Sequence, residues 1–457
     1  MSAAARFSTK EEKGWFVFEA LTAHAEVTQA PLRARLEAAG VPYRSFFLVN
    51  MIEVQGRRDL ALELAARGDV SSVAANRPAA PVPAHPSEED SLGSAAASVV
   101  EPNINLIRAP EVWSRGFTGQ GIVVAVADTG FVWDHPALRQ QYRGTSGSSV
   151  SHDYNWHDAI HTAPGNPCAA NSTAPCDDSG HGTSVAGVIV GAEGANQVGV
   201  APGARLIGCR NMDRGVGTPA TYTECFQFFL APTDRDNANP RPELAPHVIN
   251  NSWGCPPEEG CTDPNVLRTV VEVTRAAGIA VVMSAGNTGA ACGSVQDPPA
   301  IYEAAFAVGA SSMADGIASF SARGPVLVDG SGRLKPDVVA PGVAIRTSAG
   351  LAGYGVFTGT SAAAPHVTGA IALLQSAIPA LRGAPAANED LLKRSAVRLP
   401  AGQDCGTFAG ASIPNPVFGW GRIDVANALN LAAPIPREGP RSVTVPRAAP
   451  RTVPLRP

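Results

Sequence analysis

Apolar residues follow two regimes along this chain. In residues 15–75 short apolar runs alternate with helical spacing. Residues 15–21 (WFVFEAL) have the density of a strand, and residues 31–39 place Leu32, Leu36 and Ala39 on one helical face that closes at Gly40. Residues 45–50 and 51–55 can pair as a hairpin, residues 60–66 are helical up to Gly68, and residues 70–75 close as a strand. The predicted order, β-α-β-β-α-β, is a split βαβ unit, expected to form a small α+β domain over residues 1–77.

The second regime begins after residues 78–100, a linker rich in Pro, Ala, Ser and acidic residues with no apolar period. From 101 to 433, strongly apolar runs at 122–127, 200–209, 247–251, 279–284 and 305–310 alternate with helical patterns. Buried runs bounded by glycine and separated by helices predict an α/β fold with a mainly parallel central sheet. The tail, residues 434–457, carries seven prolines and five arginines without an apolar period, and its composition predicts disorder.

Composition narrows the classes. Of the 457 residues, 45% are apolar and 16% charged, with a net charge of −5 (35 − 40), so no basic field argues for nucleic acid. No run of about 18 uncharged apolar residues occurs, so a membrane span is not expected. Eight cysteines include two pairs close in sequence, Cys168 with Cys176 and Cys255 with Cys261, neither with C-x-x-C spacing. These are expected to be disulfides. Eight thiols allow 105 connectivities, which leaves Cys209, Cys225, Cys292 and Cys405 open. Cysteine usage favours an extracellular or periplasmic location. The opening MSAAARFSTKEEKG, residues 1–14, shows no apolar signal region, and a cytoplasmic protein with reduced thiols is the alternative.

Three blocks carry chemistry. Val123-Val124-Ala125-Val126-Ala127-Asp128-Thr129-Gly130 ends a buried strand in an acid, where open α/β sheets place their sites. His181-Gly182-Thr183-Ser184-Val185-Ala186-Gly187 opens a helix of small residues that can pack closely on a sheet. Gly359-Thr360-Ser361-Ala362-Ala363-Ala364-Pro365-His366 sets a serine at a helix N-terminus. Alone, each has an ordinary reading: a turn cap, a structural histidine, an N-cap. Together they supply Asp, His and Ser in the chain order of one type of catalytic triad, and the absence of a G-x-S-x-G elbow disfavours an α/β-hydrolase.

All three blocks resemble those of the subtilisin-like serine peptidases (subtilases) over residues 101–431. The likeness is closest to the bacillopeptidase F-like branch, through Asn196-Gln197-Val198-Gly199-Val200-Ala201-Pro202-Gly203-Ala204, Leu230-Ala231-Pro232 and Val248-Ile249-Asn250-Asn251-Ser252-Trp253-Gly254. The resemblance implies a three-layer fold and a serine endopeptidase working through an acyl-enzyme. Ser361 would be its nucleophile, His181 its proton carrier and Asp128 the partner of the histidine. Asn287, in Ser284-Ala285-Gly286-Asn287, would donate to the oxyanion. Ser252, Trp253 and Gly254 would form one wall for an extended substrate, with Ala285 and Gly286 lining the primary pocket; the Trp253 side chain has plain packing as its alternative. Ser184 stands where many members have a second histidine, outside the triad. Residues 1–77 resemble, more weakly, the family's propeptide, an inhibitor released by cutting the linker.

Expected partners are thus protein or peptide substrates and the chain's own N-terminal unit. No cofactor is required for the chemistry; a structural calcium is possible near Asp153, Asp158, Asp177 and Asp178, whose spacing matches no EF-hand. Asp297 aligns near the base of the primary pocket, where a carboxylate could pair with a substrate Arg or Lys. Against that, residues 78–100 contain no Lys or Arg, which favours a broad or apolar-tolerant preference if the enzyme matures itself there.

Overall fold

The computed structural model describes residues 2–76 and 99–432. Arg77, most of the linker and the tail therefore lie outside the described residues.

The N-terminal unit departs from its expected order. Residues 15–21 are not a strand but part of one long helix, α1 (Lys10–Ala38), opened by a capping box between Thr9 and Glu12. A short apolar run is ambiguous between the two states. Here Val17, Ala25 and Leu36 fall on one buried face, and the intervening residues continue the helix through Pro31. The expected hairpin is present as β1 (Tyr43–Phe46) and β2 (Met51–Val54), antiparallel with Phe46 opposite Met51, followed by α2 (Arg58–Ala65). Residues 70–75 form no strand; that stretch leads to Asn76, whose Oδ1 accepts the Ala220 N–H at 3.3 Å. The observed order is α-β-β-α. The unit is moored to the rest of the chain by Lys10 Nζ on the Ala245 carbonyl (2.9 Å) and by Gln227 Oε1, which accepts the Phe47 (2.8 Å) and Leu48 (3.2 Å) amides.

The remainder is built on seven strands. In chain order its main elements are β3 (Val123–Asp128), β4 (Trp156–Asp158), α3 (His181–Val190), β5 (Arg205–Arg210), α4 (Pro219–Leu230), β6 (Val248–Asn251), α5 (Arg268–Ala276), β7 (Ala280–Ser284), β8 (Phe306–Ser311) and β9 (Val338–Pro341). A hairpin of β10 (Ile345–Ala349) and β11 (Gly353–Phe357) then leads into α6 (Thr360–Ala377). The sheet order is β9-β8-β7-β6-β3-β5-β4, and every neighbouring pair is parallel. Alternation along β3 explains the layers. Val124 and Val126 face the core shared with α3 and α6, whereas Ala125 and Ala127 face the core shared with α4 and α5. This is the three-layer α/β arrangement expected from the sequence. Ala4, Val17 and Leu48 of the N-terminal unit join the second of those cores. Among the described residues, no helix is long and apolar enough to cross a membrane.

The short disulfides Cys168–Cys176 and Cys255–Cys261 are present, and the four open cysteines pair as Cys209–Cys225 and Cys292–Cys405.

Candidate active site

The order in which strands are added to the sheet reverses at β3. Strands β4 and β5 lie on one side of it and β6 to β9 on the other, so a crevice opens at the carboxyl ends of β3 and β6. Asp128 ends β3, Ser252 follows β6, and Asn287 lies three residues beyond β7. Asp128 is fully buried; its Oδ1 accepts the Thr129 N–H (2.8 Å) and faces His181 Nδ1 at 2.7 Å. An acceptor at Nδ1 fixes the tautomer with the proton on that nitrogen and leaves Nε2 free to take another. Burial pulls the His181 imidazole down, but the Asp128 carboxylate outweighs it and holds the ring above its ordinary value of 6.5.

The approach of α3 to β3 depends on glycine. A Cβ at Gly182 would lie 1.9 Å from the Gly130 carbonyl oxygen and 3.1 Å from Asp128 Cβ. Gly130, at φ +98°, could carry no side chain either, because the Cys176 carbonyl oxygen would be 1.7 Å from its Cβ. The edge of Phe357, at the end of β11, meets the His181 ring with centroids 5.3 Å apart.

Ser361 is the second residue of α6 and is 8% exposed. Its hydroxyl donates to the Ser252 carbonyl at 3.1 Å, and the Ser252 hydroxyl returns a bond to the Ser361 carbonyl at 3.0 Å. Among the described residues no hydrogen bond joins Ser361 Oγ to His181. The serine hydroxyl is thus directed to the Ser252 carbonyl and not to the imidazole. The preceding Gly359 sits at φ +149°, a backbone region effectively confined to glycine. Asn287 Oδ1 accepts both the amide (2.9 Å) and the hydroxyl (2.8 Å) of Thr360. The Asn287 amide nitrogen also lies at this turn, 3.4 Å from where a Cβ on Gly359 would stand.

The remaining candidates fall around this centre. Gly254 touches Asp297: a Cβ at 254 would meet Asp297 Cβ at 3.0 Å. The Trp253 side chain is packing; it stacks on Tyr222 (centroids 3.8 Å, 7°) and donates to the Ala127 carbonyl at 3.0 Å, leaving only its backbone for a substrate. Ala285 is buried with its N–H on the Val308 carbonyl (2.9 Å), and the Gly286 carbonyl accepts Ala322 N (3.0 Å).

A profile of the Subtilase family matches residues 119–421. The chain belongs to the subtilase family. It is 38% identical over 345 residues to bacillopeptidase F of Bacillus subtilis, covering 73% of this chain and 22% of that protein. It is 33% identical over 295 residues to subtilisin E of Bacillus subtilis, 64% of this chain and 65% of that one. To a subtilisin of Bacillus pumilus it is 33% identical over 286 residues, 62% of this chain and 87% of the relative. This subtilase therefore spans about a fifth of the length of bacillopeptidase F.

Each of the four carboxylates considered for calcium has protein partners. Asp153 pairs with Arg235 (3.1 Å), and the buried Arg210 takes Asp158 in two bonds (2.7 and 2.9 Å) and Asp178 at 3.4 Å. Asp177 caps the helix that presents His181: its oxygens accept the Gly180 and Thr183 amides, each at 2.8 Å, and the Thr129 hydroxyl at 2.8 Å. Thr129 in turn accepts Gly182 N at 3.0 Å, so one carboxylate ties the Asp128 turn to the His181 turn. Sequence reading missed Asp177 in this role, because a capping signal stands immediately before a helix and Asp177 lies four residues before His181, with Gly180 at the cap position. Thr360 was also missed, because its value lies wholly in a partner 73 positions away.

Proposed function

We propose that this subtilase is a serine endopeptidase, made as a zymogen and acting in an oxidising, extracellular compartment. The observation that carries the reading is the pairing of buried Asp128 with His181 (2.7 Å) at the same carboxyl end of the sheet as Ser361 and the Thr360-anchored Asn287. Ser361 Oγ attacks the scissile carbonyl while His181 Nε2 takes its proton. Asp128 stabilises the imidazolium that results. The tetrahedral oxygen sits between the Ser361 N–H and the Asn287 amide; one such donor is worth about 10²–10³ in kcat, a magnitude established for a member of this family. His181 then protonates the leaving amine, and water, activated by the same nitrogen, hydrolyses the acyl-enzyme. No step calls for a cofactor.

Substrate lies extended along the backbone of Ser252, Trp253 and Gly254, so side-chain pockets set preference. With Asp297 against Gly254, we retain a broad or apolar-tolerant preference over a strictly basic one, because residues 78–100 offer no Lys or Arg. Cleavage of a peptide library solely after Arg and Lys overturns that choice.

The N-terminal unit acts as the inhibitor. Its support is the extensive docking of α1 and the β1–β2 hairpin, and the course of residues 70–76 to the N-terminus of α4. One experiment tests both parts. A fluorophosphonate probe is expected to modify Ser361 alone, at least about tenfold faster after the linker is cut. No labelling of cut protein removes the peptidase assignment; equal rates before and after cutting remove the inhibitor assignment.

The pH profile follows from His181. A general base must be neutral, and Asp128 holds this imidazole above 6.5, so kcat/KM falls as pH drops through a midpoint above 6.5. The slope below it is about tenfold per pH unit for one group. A midpoint below 6.5 in steady-state assays contradicts the assigned pairing.

A further inference from the structure

Away from the catalytic centre, the N-terminal unit meets the peptidase body at a cluster of ionisable groups. Glu224, on α4, is almost covered, and its Oε1 accepts Nε2 of His157 (2.8 Å), on β4, and Nε2 of His161 (2.9 Å). Its Oε2 faces Arg44 Nη1, on β1 of the N-terminal unit, at 3.2 Å. Three side chains that can each be cationic thus share one carboxylate.

We propose that this cluster is a proton-operated latch, with His157 and His161 displacing Arg44 from Glu224 on acidification and loosening the N-terminal unit. With both rings neutral, Arg44 is the one full positive charge on Glu224. When both are protonated, two more positive charges sit within 3 Å of the same carboxylate, and Arg44 is the member on a separable unit. His161 is built for the second proton: its Nδ1 faces Asn171 Oδ1 at 2.5 Å, so imidazolium formation gives both nitrogens an acceptor. His157 is stacked on Phe228 and cannot swing away freely (centroids 5.2 Å, 18°). Solvent protons reach both rings through a cavity of about 60 Å³ that they line.

The other charged groups nearby do not restore the balance. Asp158, next to His157, is spent on Arg210; Asp234 and Arg235 lie across the cavity, and Arg235 is paired with Asp153. On the departing side, Glu53 of β2 holds Arg44 Nε at 2.7 Å, so Arg44 leaves with a counter-ion of its own.

The sign follows from linkage. With Arg44 docked its charge opposes a further positive charge on either ring, so the undocked state takes up protons more readily than the docked one. Docking is therefore strongest with both rings neutral and weakens as acidification protonates them. Each proton that docking excludes changes docking by about tenfold per pH unit.

This latch extends the inhibitor reading, because loosening matters to activity only if the unit inhibits. Its test avoids activity. In the full chain carrying Ser361→Ala, hydrogen exchange is followed at the Phe47 and Leu48 amides, which are held by Gln227, and corrected for intrinsic rates. Between pH 7.5 and 5.5 their protection is expected to drop about tenfold or more. The drop should vanish in His157→Gln/His161→Gln, and Arg44→Gln should be loosened at both pH values with no further change. Protection independent of pH in the parent, or an unchanged pH effect in the double variant, overturns the latch. The inhibitor reading fails separately, on the probe-labelling rates of the active chain.

Discussion

Ser361→Ala is expected to lower kcat by about 10⁶ while leaving the fold intact, the loss seen when a triad nucleophile is removed from a related enzyme. Nothing in the crevice replaces the hydroxyl. The Ser252 hydroxyl is committed to the Ser361 carbonyl at 3.0 Å and the Thr360 hydroxyl to Asn287 Oδ1 at 2.8 Å. The fold should survive, because alanine keeps the helix, and the hydroxyl lost makes just one bond, to the Ser252 carbonyl. The residue of activity, about 10³–10⁴ over water, would come from the oxyanion donors and substrate binding. Casein hydrolysis checks the rate and circular dichroism the fold; a folded variant within tenfold of the parent ends the assignment of Ser361.

Asp128→Asn should cost about 10⁴ in kcat without disturbing the sheet. The carboxylate is acceptor-only, and it accepts His181 Nδ1–H at 2.7 Å and Thr129 N–H at 2.8 Å with the same oxygen. An amide has one oxygen and one donor group. If its NH₂ faces His181, the ring must carry its proton on Nε2, where it can no longer receive one from Ser361. The negative charge that raises the imidazole is lost in either orientation. Two readouts therefore move together: kcat, and the His181 titration followed by NMR in the Ser361→Ala background, which should shift to lower pH. A merely structural Asp128 would lower stability without moving that titration.

The N-terminal unit shows where pattern reading met its limit. Residues 15–21 had strand-like apolar density, yet they lie within α1 (Lys10–Ala38). A seven-residue run does not reveal its period, and the face that settled it, Val17 with Ala25 and Leu36, spans nearly twenty residues. The hairpin fared better, since β1 and β2 lie close in sequence and pair through a short turn. The local disulfides Cys168–Cys176 and Cys255–Cys261 were legible for the same reason: eight and six residues of chain keep the thiols close. Cys292 and Cys405, 113 apart, were not, because only the folded body brings them together.

By itself the sequence determined the parallel sheet, through buried runs such as Val123–Asp128 and Ala280–Ser284, and the residue types available for chemistry, through three ordered blocks. Tertiary structure decided how those residues are held. It set His181 on Asp128 across 53 positions, and let Asp177 cap the α3 N-terminus while contacting Thr129. It anchored Asn287 on Thr360, turned Asp158 and Asp178 toward Arg210, and placed Arg44 beside Glu224. The division has one physical cause. Periodicity and turn chemistry act between neighbours, so a sequence displays them directly. A hydrogen bond or ion pair between distant segments depends on direction and on distances of a few tenths of an ångström, which exist only once packed layers fix both ends.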